Sequence, residues 1–315
     1  MFKRKNKLQS GVVGLTFFSD GIALVHIEQN DAGEVLLRVA ESVEGSATQH
    51  AELLSELVQR HRLQNSPCVA ILARGAYSLI QIDTPDVPEQ EQRDAVRWQI
   101  KDLLDYPAEQ AVIDLFTASI AGASNIAFAV AAPEEKVRYV VDAMRGAGLD
   151  IKAIDIPELA LRNILASTNE NERGVALLTL WKDSGLITIV RDGELCMARR
   201  INIGIQELVD AGDIEVVEGV EVSQAQQNIL DGVVLEIQRS LDYYESSVSR
   251  QSVTAVLIAP LIAPLPGLQS YLESYLTPDV RELDLSSWLD CSALTITQQS
   301  RCLSAIGAAL RSDWS

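Results

Sequence analysis

Few side chains in this sequence have both the type and the spacing that chemistry requires. The histidines show no metal-ligand spacing. The cysteines form no close pairs, so the sequence predicts neither a disulfide framework nor a zinc site and favours a reducing compartment. No nucleophile-elbow motif supports a serine–histidine–aspartate triad. The residues concerned are His26, His50, His61, Cys68, Cys196, Cys291 and Cys302.

Two aspartates, Asp20 and Asp183, stand in short polar breaks between apolar runs. Asp20 directly precedes Gly21, and Asp183 is followed by a serine and then Gly185. Asp before Gly is a favoured turn pair, so we expect both aspartates to form hairpin turns. Gly14 and Gly21 do not form a dinucleotide-binding fingerprint, because they lie in a hairpin rather than between a strand and a helix.

These two hairpins are nearly the same stretch of sequence, 163 residues apart. Residues 11–27 and 174–191 both open with Gly-Val and continue through Leu-Thr, an apolar residue and an aromatic one. Both then turn at an aspartate and return as an apolar strand, with one gap at Ser184. The repeat predicts two related domains.

The surrounding pattern alternates strands with helices and predicts an α/β class. The first hairpin opens a β-β-β-α-β unit, an inserted β-α-β-β-α segment follows at 77–149, and the polar stretch 167–173 is the expected linker. Beyond the hairpins, strands are predicted at 35–39, 69–72, 79–82, 112–117, 125–131, 151–156, 194–201, 253–259 and 280–283. Helices are predicted at 51–63, 89–104, from Pro133 to Gly146, and at 158–165, 205–210, 224–249, 267–276 and 298–311.

Composition excludes several classes of function. The 315 residues are 47% apolar, which suits a globular protein with room for two domains. The net charge of −18 argues against binding nucleic acid, which needs clustered lysine and arginine. The basic cluster at Lys3, Arg4, Lys5 and Lys7 predicts either a solvated terminus or contact with an anionic membrane surface. Because neither a secretory signal nor an apolar run of about 20 residues is found, we expect a cytoplasmic protein without a transmembrane segment.

An ordered set of short segments resembles the PilM-like family of type IV pilus assembly, and within it the branch that serves the mannose-sensitive haemagglutinin (MSHA) pilus. The set spans most of the chain, and no single segment is diagnostic. The segments are YSLIQI at 77–82, AVRWQI at 95–100 followed by Tyr106-Pro107, AAPEEKV at 131–137, AGL at 147–149, IDIPELA at 154–160, LEIQRSLDYY at 235–244 and LPGL at 265–268.

The resemblance implies an actin-like (sugar kinase/heat-shock/actin) fold of two ribonuclease H-like lobes. The first lobe would span 1–167 and carry the insert, and the second would span 168–315, with the final helix packing back on the first lobe. The resemblance further implies a protein at the cytoplasmic face of the inner membrane that binds the cytoplasmic tail of a PilN-like bitopic protein. It implies assembly into a ring, contact with a pilus motor ATPase, and ATP in the cleft between the lobes. The groove beside the insert would hold the tail.

This chain departs from the family's nucleotide site at each of its three parts. Each hairpin would supply a phosphate loop in which an aspartate governs Mg²⁺ and a glycine lets the backbone approach the phosphates. The aspartate positions fall on Thr16 and Thr179, and the glycine positions fall on Phe18 and Trp181. The adenosine turn falls on Pro260, Leu261 and Ile262. A neutral hydroxyl cannot replace the charge of a carboxylate at Mg²⁺. The aromatic rings would occupy the space that the phosphates need. Proline has no backbone N–H to donate.

We therefore expect a scaffold that has lost its nucleotide, with no catalytic residue, no cofactor and no bound metal. The alternative is an actin-like ATP-binding protein or ATPase in which Asp20 and Asp183 serve Mg²⁺. A type II secretion platform component shares the fold, but it is expected to continue into a transmembrane helix. Trp98, Tyr106 and Phe116 are the candidates for the partner groove, and Trp98 has a second interpretation as a helix-packing residue.

Overall fold

The computed structural model describes residues 11–30, 32–117, 126–168, 173–211, 224–249 and 251–311. The basic cluster at Lys3 to Lys7 lies outside the described residues. The described chain forms two compact units. Unit 1 contains the residues up to Thr117, those from 126 to 160 and those from Ser304 onward, and unit 2 contains those from Leu161 to Leu303.

Strands and helices alternate along both units. The strands are β1 (Val12–Phe18), β2 (Gly21–Gln29), β3 (Val35–Glu44), β4 (Pro67–Ile71), β5 (Ser78–Asp83), β6 (Ala111–Thr117), β7 (Ile126–Pro133), β8 (Asp150–Asp155), β9 (Val175–Leu180), β10 (Gly185–Arg191), β11 (Glu194–Ile201), β12 (Ala255–Ile258) and β13 (Asp279–Glu282). The helices are α1 (His50–Arg60), α2 (Glu89–Ile100), α3 (Glu134–Gly146), α4 (Pro157–Ala166), α5 (Ile205–Asp210), α6 (Gln224–Tyr243), α7 (Leu268–Tyr275) and α8 (Ile296–Ala309).

The main sheets of the two units have the same strand order. Unit 1 runs β3-β2-β1-β4-β8 and unit 2 runs β11-β10-β9-β12-β13. In each, the first three strands are antiparallel, and the last two join as parallel strands. Gly11 and Gly174 precede the first strand of each hairpin with φ of 133° and 78°, a region that favours glycine. The two sheets agree with the duplication that the sequence predicts.

Alternation along β1 builds the core of unit 1. Val13, Leu15 and Phe17 are buried on one face, in a cluster that includes the apolar stripes of α1 and α3. Both stripes follow helical spacing, with Leu54 and Val58 on α1 and Val140 and Met144 on α3 as examples. In unit 2, alternate residues of β9 pack in the same way against α5, α6 and α7.

The other face of β1 receives the last helix at a glycine. A Cβ on Gly14 would lie 1.8 Å from the carbonyl oxygen of Ala305, so backbone of α8 occupies the space that a side chain would need. Gly307 is equally tight, because its Cβ would lie 2.1 Å from the carbonyl oxygen of Ala160. Just beyond the helix, Arg311 pairs with the buried carboxylate of Asp155 at 3.0 Å. Residues from Ser304 onward therefore pack within unit 1.

The inserted subdomain is a three-stranded antiparallel sheet of order β5-β7-β6, covered by α2. Val96 and Ile100 of α2 are buried against small residues of β7, which let the helix lie close to the sheet. Arg97 donates to the carbonyl oxygens of Ala108 and Ala111, and this fixes α2 to the start of β6. The helix that follows the sheet, α3, contributes its stripe to the main core of unit 1.

The predicted elements are all present, and the differences concern their ends. The helix predicted at 89–104 ends at Ile100 and continues as a 3₁₀ turn over Lys101–Leu103. The helix predicted at 224–249 becomes a widened π-helical turn over Tyr244–Ser249. The strand predicted at 35–39 extends to Glu44, because it pairs with β2 along its whole length. Among the described residues, none of the helices has the length and hydrophobicity of a membrane span.

Candidate functional site

The first hairpin, β1–β2, holds a buried threonine where an actin-like phosphate loop would hold aspartate. Thr16 is 5% exposed, and its hydroxyl has no hydrogen-bond partner among the described residues. Phe17 is buried in the core beside it, with its ring 5.5 Å from that of His50. Phe18 is half-buried at the end of the strand. This end of β1 therefore presents a neutral hydroxyl and two aromatic rings.

The Asp20–Gly21 pair has a structural role in the turn. Phe18 pairs with Gly21, so Ser19 and Asp20 are the two residues of the hairpin loop. The backbone N–H of Gly45 donates to the carbonyl oxygen of Asp20 at 3.0 Å. A Cβ on Gly21 would lie 2.1 Å from the carbonyl oxygen of Val43, so only glycine allows β2 to approach β3 here. Asp20 is exposed at the tip.

The second hairpin, β9–β10, repeats the buried threonine with a longer turn. Thr179 is also 5% exposed, and its hydroxyl also has no partner within the described chain. Leu180 pairs with Gly185, so residues 181–184 form the turn. The backbone N–H of Trp181 donates to the carbonyl oxygen of Ser184 at 2.9 Å. That N–H closes the hairpin and is committed within the turn.

The turn of the second hairpin also caps a helix. The carbonyl oxygens of Trp181 and Lys182 accept from the first backbone N–H groups of α5, those of Ile205 and Gln206, at 2.7 and 3.0 Å. These are the donors that a helix N-terminus would otherwise offer to an anion. Asp183 is exposed beside them.

The predicted adenosine turn lies after β12 and is apolar. Leu261 and Ile262 are half-buried and pack against the core of unit 2, and Pro260 is half-buried before them. Gly267 follows at φ 85° and begins α7. The turn thus belongs to the packing of its own unit.

Mg²⁺-ATP is the ligand that the fold implies, and the residues at the two hairpins do not fit it. A hard cation requires anionic oxygen, and Thr16 and Thr179 supply buried neutral hydroxyls instead. Aromatic side chains, Phe18 and Trp181, occupy the positions that the resemblance assigns to the glycines of the phosphate loops. No cluster of three or more histidine, cysteine or acidic side chains capable of holding a metal exists within the described part of the chain.

A groove of about 740 Å³ lies on unit 1 beside the inserted subdomain. One border is the turn between β4 and β5, which holds Gly75 at φ 77°. A second border is the segment after α2, with Asp105 and Tyr106, and the third is the first two turns of α3. The insert and α3 therefore form a concave surface with the volume of an ordinary ligand cleft.

Carboxylates outnumber cations in the lining of this groove. Asp105, Glu134, Glu135 and Asp142 line it together with one cation, Arg138. Residues 134, 138 and 142 recur at helical spacing and share one face of α3. Arg138 pairs with Glu134 on that face. The lining contains no second cation to balance the charge of the other three carboxylates.

Three tyrosines line the same groove. Tyr77 is buried, and its hydroxyl donates to the buried carboxylate of Glu158. The hydroxyl of Tyr139 donates to the carbonyl oxygen of Ala47 at 2.9 Å and also forms a hydrogen bond with Nδ1 of His50 at 2.8 Å. The hydroxyl of Tyr106 is buried without a partner among the described residues. Burial raises the pKa of Tyr106 and Tyr139, and Asp105 raises that of Tyr106 further.

Of the three residues predicted for the partner groove, one lies in the lining of the groove on unit 1. Tyr106 lines it. Phe116 stacks on Phe128 at 5.2 Å and packs against the core of unit 1. Trp98 is 72% exposed on α2, with Lys101 Nζ 4.7 Å above its ring, so it is not a helix-packing residue. Neither Phe116 nor Trp98 is among the groove-lining side chains.

Most residues of the lining were not predicted from the sequence. Glu134, Glu135, Arg138 and Tyr139 lie within or just after the AAPEEKV segment. The sequence did carry a signal for these residues. The apolar stripe of α3 contains Val137, Val140 and Met144, so the residues between them must lie on the exposed side of the helix.

Comparisons with known proteins extend this picture. No protein-family model matches the chain. No curated protein matches it. A solved PilM-PilN type IV pilus biogenesis complex is similar to it, with a TM-score of 0.73 and 21% identity, over 96% of this chain and 98% of that chain.

Two further solved structures are similar at lower scores. One is a Bacteroides thetaiotaomicron protein with an actin-like ATPase fold and unknown function, with a TM-score of 0.52 and 7% identity over 96% and 99% of the two chains. The other is the ethanolamine utilization protein EutJ from Carboxydothermus hydrogenoformans, with a TM-score of 0.51 and 13% identity over 95% and 88%. Together with the duplicated sheets, these likenesses confirm the predicted actin-like α/β fold.

Proposed function

We propose that this protein is a cytoplasmic scaffold of a type IV pilus assembly platform. Its groove on unit 1 binds the cytoplasmic tail of a PilN-like bitopic inner-membrane protein. The observation that carries the proposal is the groove itself, since an open, polar and aromatic surface lies beside the insert. The likeness to a PilM-PilN complex supports the choice of partner.

The finer parts of the proposal rest on the segments quoted above. The platform is of the MSHA type, and the protein sits peripherally at the inner face of the inner membrane. Self-association in a ring and contact with a pilus motor ATPase complete the assembly. Co-precipitation with the neighbouring pilus-assembly proteins tests these parts together.

Tail binding is tested with synthetic peptides of the tails of PilN-like proteins, titrated into the full chain without nucleotide. We expect one tail to bind, and Ala76→Trp to weaken it at least tenfold by filling the groove that Ala76 lines. Ala32→Trp is the matched control, because Ala32 is exposed in the β2–β3 loop of the same unit. Binding by no tail, with or without ATP, contradicts the proposal.

The alternative is an actin-like ATP-binding protein whose nucleotide state controls pilus or type II secretion assembly. A similar structure is described as an actin-like ATPase fold, and Asp20 and Asp183 are exposed at the two hairpin turns. Calorimetric titration with Mg²⁺-ATP separates the two functions. A scaffold without nucleotide gives no binding heat, whereas micromolar affinity favours the alternative.

A further inference from the structure

The groove on unit 1 combines carboxylates with aromatic rings. Asp105, Glu135 and Asp142 share its lining with three tyrosines. Glu135 has an ion pair with Lys136 at 3.5 Å, but Lys136 is not part of the lining. Within the described residues, Asp105 and Asp142 take part in no ion pair. The lining therefore has a marked excess of negative charge.

Carboxylates beside tyrosine rings are the chemistry that recognises cations. An ammonium or guanidinium group is attracted to a carboxylate and to the face of an aromatic ring. The carboxylates are exposed to solvent, so the attraction comes from a concave surface of one sign of charge and is screened by salt. These groups favour a positively charged occupant over a neutral or acidic one.

The occupant of the proposed function has that charge for an independent reason. Cytoplasmic segments next to a transmembrane helix are enriched in lysine and arginine. A tail that begins in the cytoplasm also carries a terminal ammonium group. Charge complementarity of this kind speeds association and selects partners more than it adds affinity.

We infer that the groove recognises its occupant through cationic groups, lysine or arginine side chains or a terminal ammonium, which pair with the carboxylates of Glu135 and Asp142 beside the tyrosine rings. The inference rests on the proposed function for the occupant's identity. The preference for positive charge follows from the lining alone.

The test measures peptide binding by fluorescence anisotropy with three probes. The first is the PilN-like tail, and the second is the same tail with lysine and arginine replaced by glutamine and the N-terminus acetylated. The third is an unrelated twelve-residue lysine–serine peptide. The proteins are the full chain, the double variant E135Q/D142N, and Glu52→Gln as the matched control. Glu52 is an exposed first-turn glutamate of α1 in unit 1 that does not line the groove.

We expect the neutral tail to bind about tenfold more weakly than the native tail, and E135Q/D142N to cause a similar loss. Glu52→Gln should leave the affinity unchanged. Raising the salt concentration from 50 to 300 mM should weaken the native tail and leave the neutral one nearly unaffected. A lysine-to-glutamate tail should regain affinity for E135K/D142K, which no purely structural role of these residues would produce.

Each remaining outcome decides between the two claims. Equal binding of native and neutral tails overturns the inference and leaves the proposed function standing. Binding of the lysine–serine peptide, sensitive to E135Q/D142N, with no binding of any tail overturns the proposed function and supports the inference. If no peptide of either kind binds, both are overturned.

Discussion

Units 1 and 2 have the same strand order and diverge after the fourth strand in sequence. In unit 1, β4 leads through the turn at Gly75 into the inserted sheet and then α3, and the groove lies there. In unit 2, β12 leads through the proline-rich turn that begins at Pro260 directly into α7. The groove of unit 1 therefore lies beside an inserted sheet, and unit 2 has a short connection at the corresponding point.

The hairpins provide the opposite comparison, because they are alike in both units. Thr16 and Thr179 are equally buried, and both hydroxyls are unpartnered within the described chain. The apolar strands persist because they build the two cores. The positions that an actin-like nucleotide site would use carry residues suited to packing, and this supports our proposal of a scaffold without nucleotide.

The largest expected effect comes from giving unit 1 the residue of unit 2 at one matched strand position. Gly14 corresponds to the buried Leu177 at the 163-residue offset. Gly14→Leu would drive a side chain into the backbone at Ala305, so we expect a loss of more than about 4 kcal/mol in the free energy of unfolding. Urea denaturation of the purified variant measures the loss.

A second glycine serves as the control, because it tests whether any substitution of a glycine destabilises the protein. Gly146 ends α3, and a Cβ there meets nothing within 4 Å. Gly146→Ala should be neutral or stabilising by about 1 kcal/mol. If Gly14→Leu were as mild as Gly146→Ala, α8 would not pack against β1 as described.

The next effect is the loss of stability expected when aspartate replaces threonine in either hairpin. Thr16→Asp and Thr179→Asp restore the carboxylates of an actin-like site, but each buries an unpaired charge. We expect each to destabilise the protein by about 3 kcal/mol. Added Mg²⁺-ATP should not recover this loss in thermal unfolding. A rise in melting temperature with Mg²⁺-ATP would show that the phosphate loops can still assemble.

A smaller effect of opposite sign is expected when the unused hydroxyls are removed. Thr16→Val and Thr179→Val keep the side-chain shape and delete an unpartnered buried polar group. Each should be neutral or raise stability by about 1 kcal/mol. Denaturation of both variants makes the comparison, and similar values are expected because the two environments match. A clear loss at either site would mean that its hydroxyl is used.

The smallest effect is a loss of stability at acidic pH, which we expect in unit 1 before unit 2. His26 and His50 lie in unit 1, and burial lowers the pKa of each below the ordinary value of 6.5. Glu28 opposes this shift at His26, and the Gly45 backbone and Asp20 oppose it at His50. Because the unfolded chain then binds more protons, stability is complete above pH 6.5 and declines as the pH falls below it.

All three histidines of the chain precede residue 62, so the loss of stability at acidic pH should begin in unit 1. Amide hydrogen exchange at pH 7.5 and 5.5 should show protection falling first in β1, β2 and α1. The double variant H26N/H50Q should flatten this dependence. Earlier loss of protection in unit 2 would contradict the assignment.

The fold was predictable because its signals are local and repeated. The hairpins, the valine stripes of α3 and the prolines that bound the helices indicate their elements directly, and the resemblance placed them in an actin-like order. Helix ends were less predictable, since α2 changes to a 3₁₀ turn at Lys101, where the sequence has neither proline nor glycine. The groove was harder still, because Tyr77, Asp105 and Glu135 meet only through tertiary packing.

The most direct test of the central claim is a calorimetric titration of the full chain with a PilN-like tail peptide, in the absence and presence of Mg²⁺-ATP. A nucleotide-free scaffold predicts saturable binding of the tail, unchanged by Mg²⁺-ATP, and no heat from Mg²⁺-ATP alone. Micromolar affinity for Mg²⁺-ATP, or tail binding that appears only when it is present, would contradict the account.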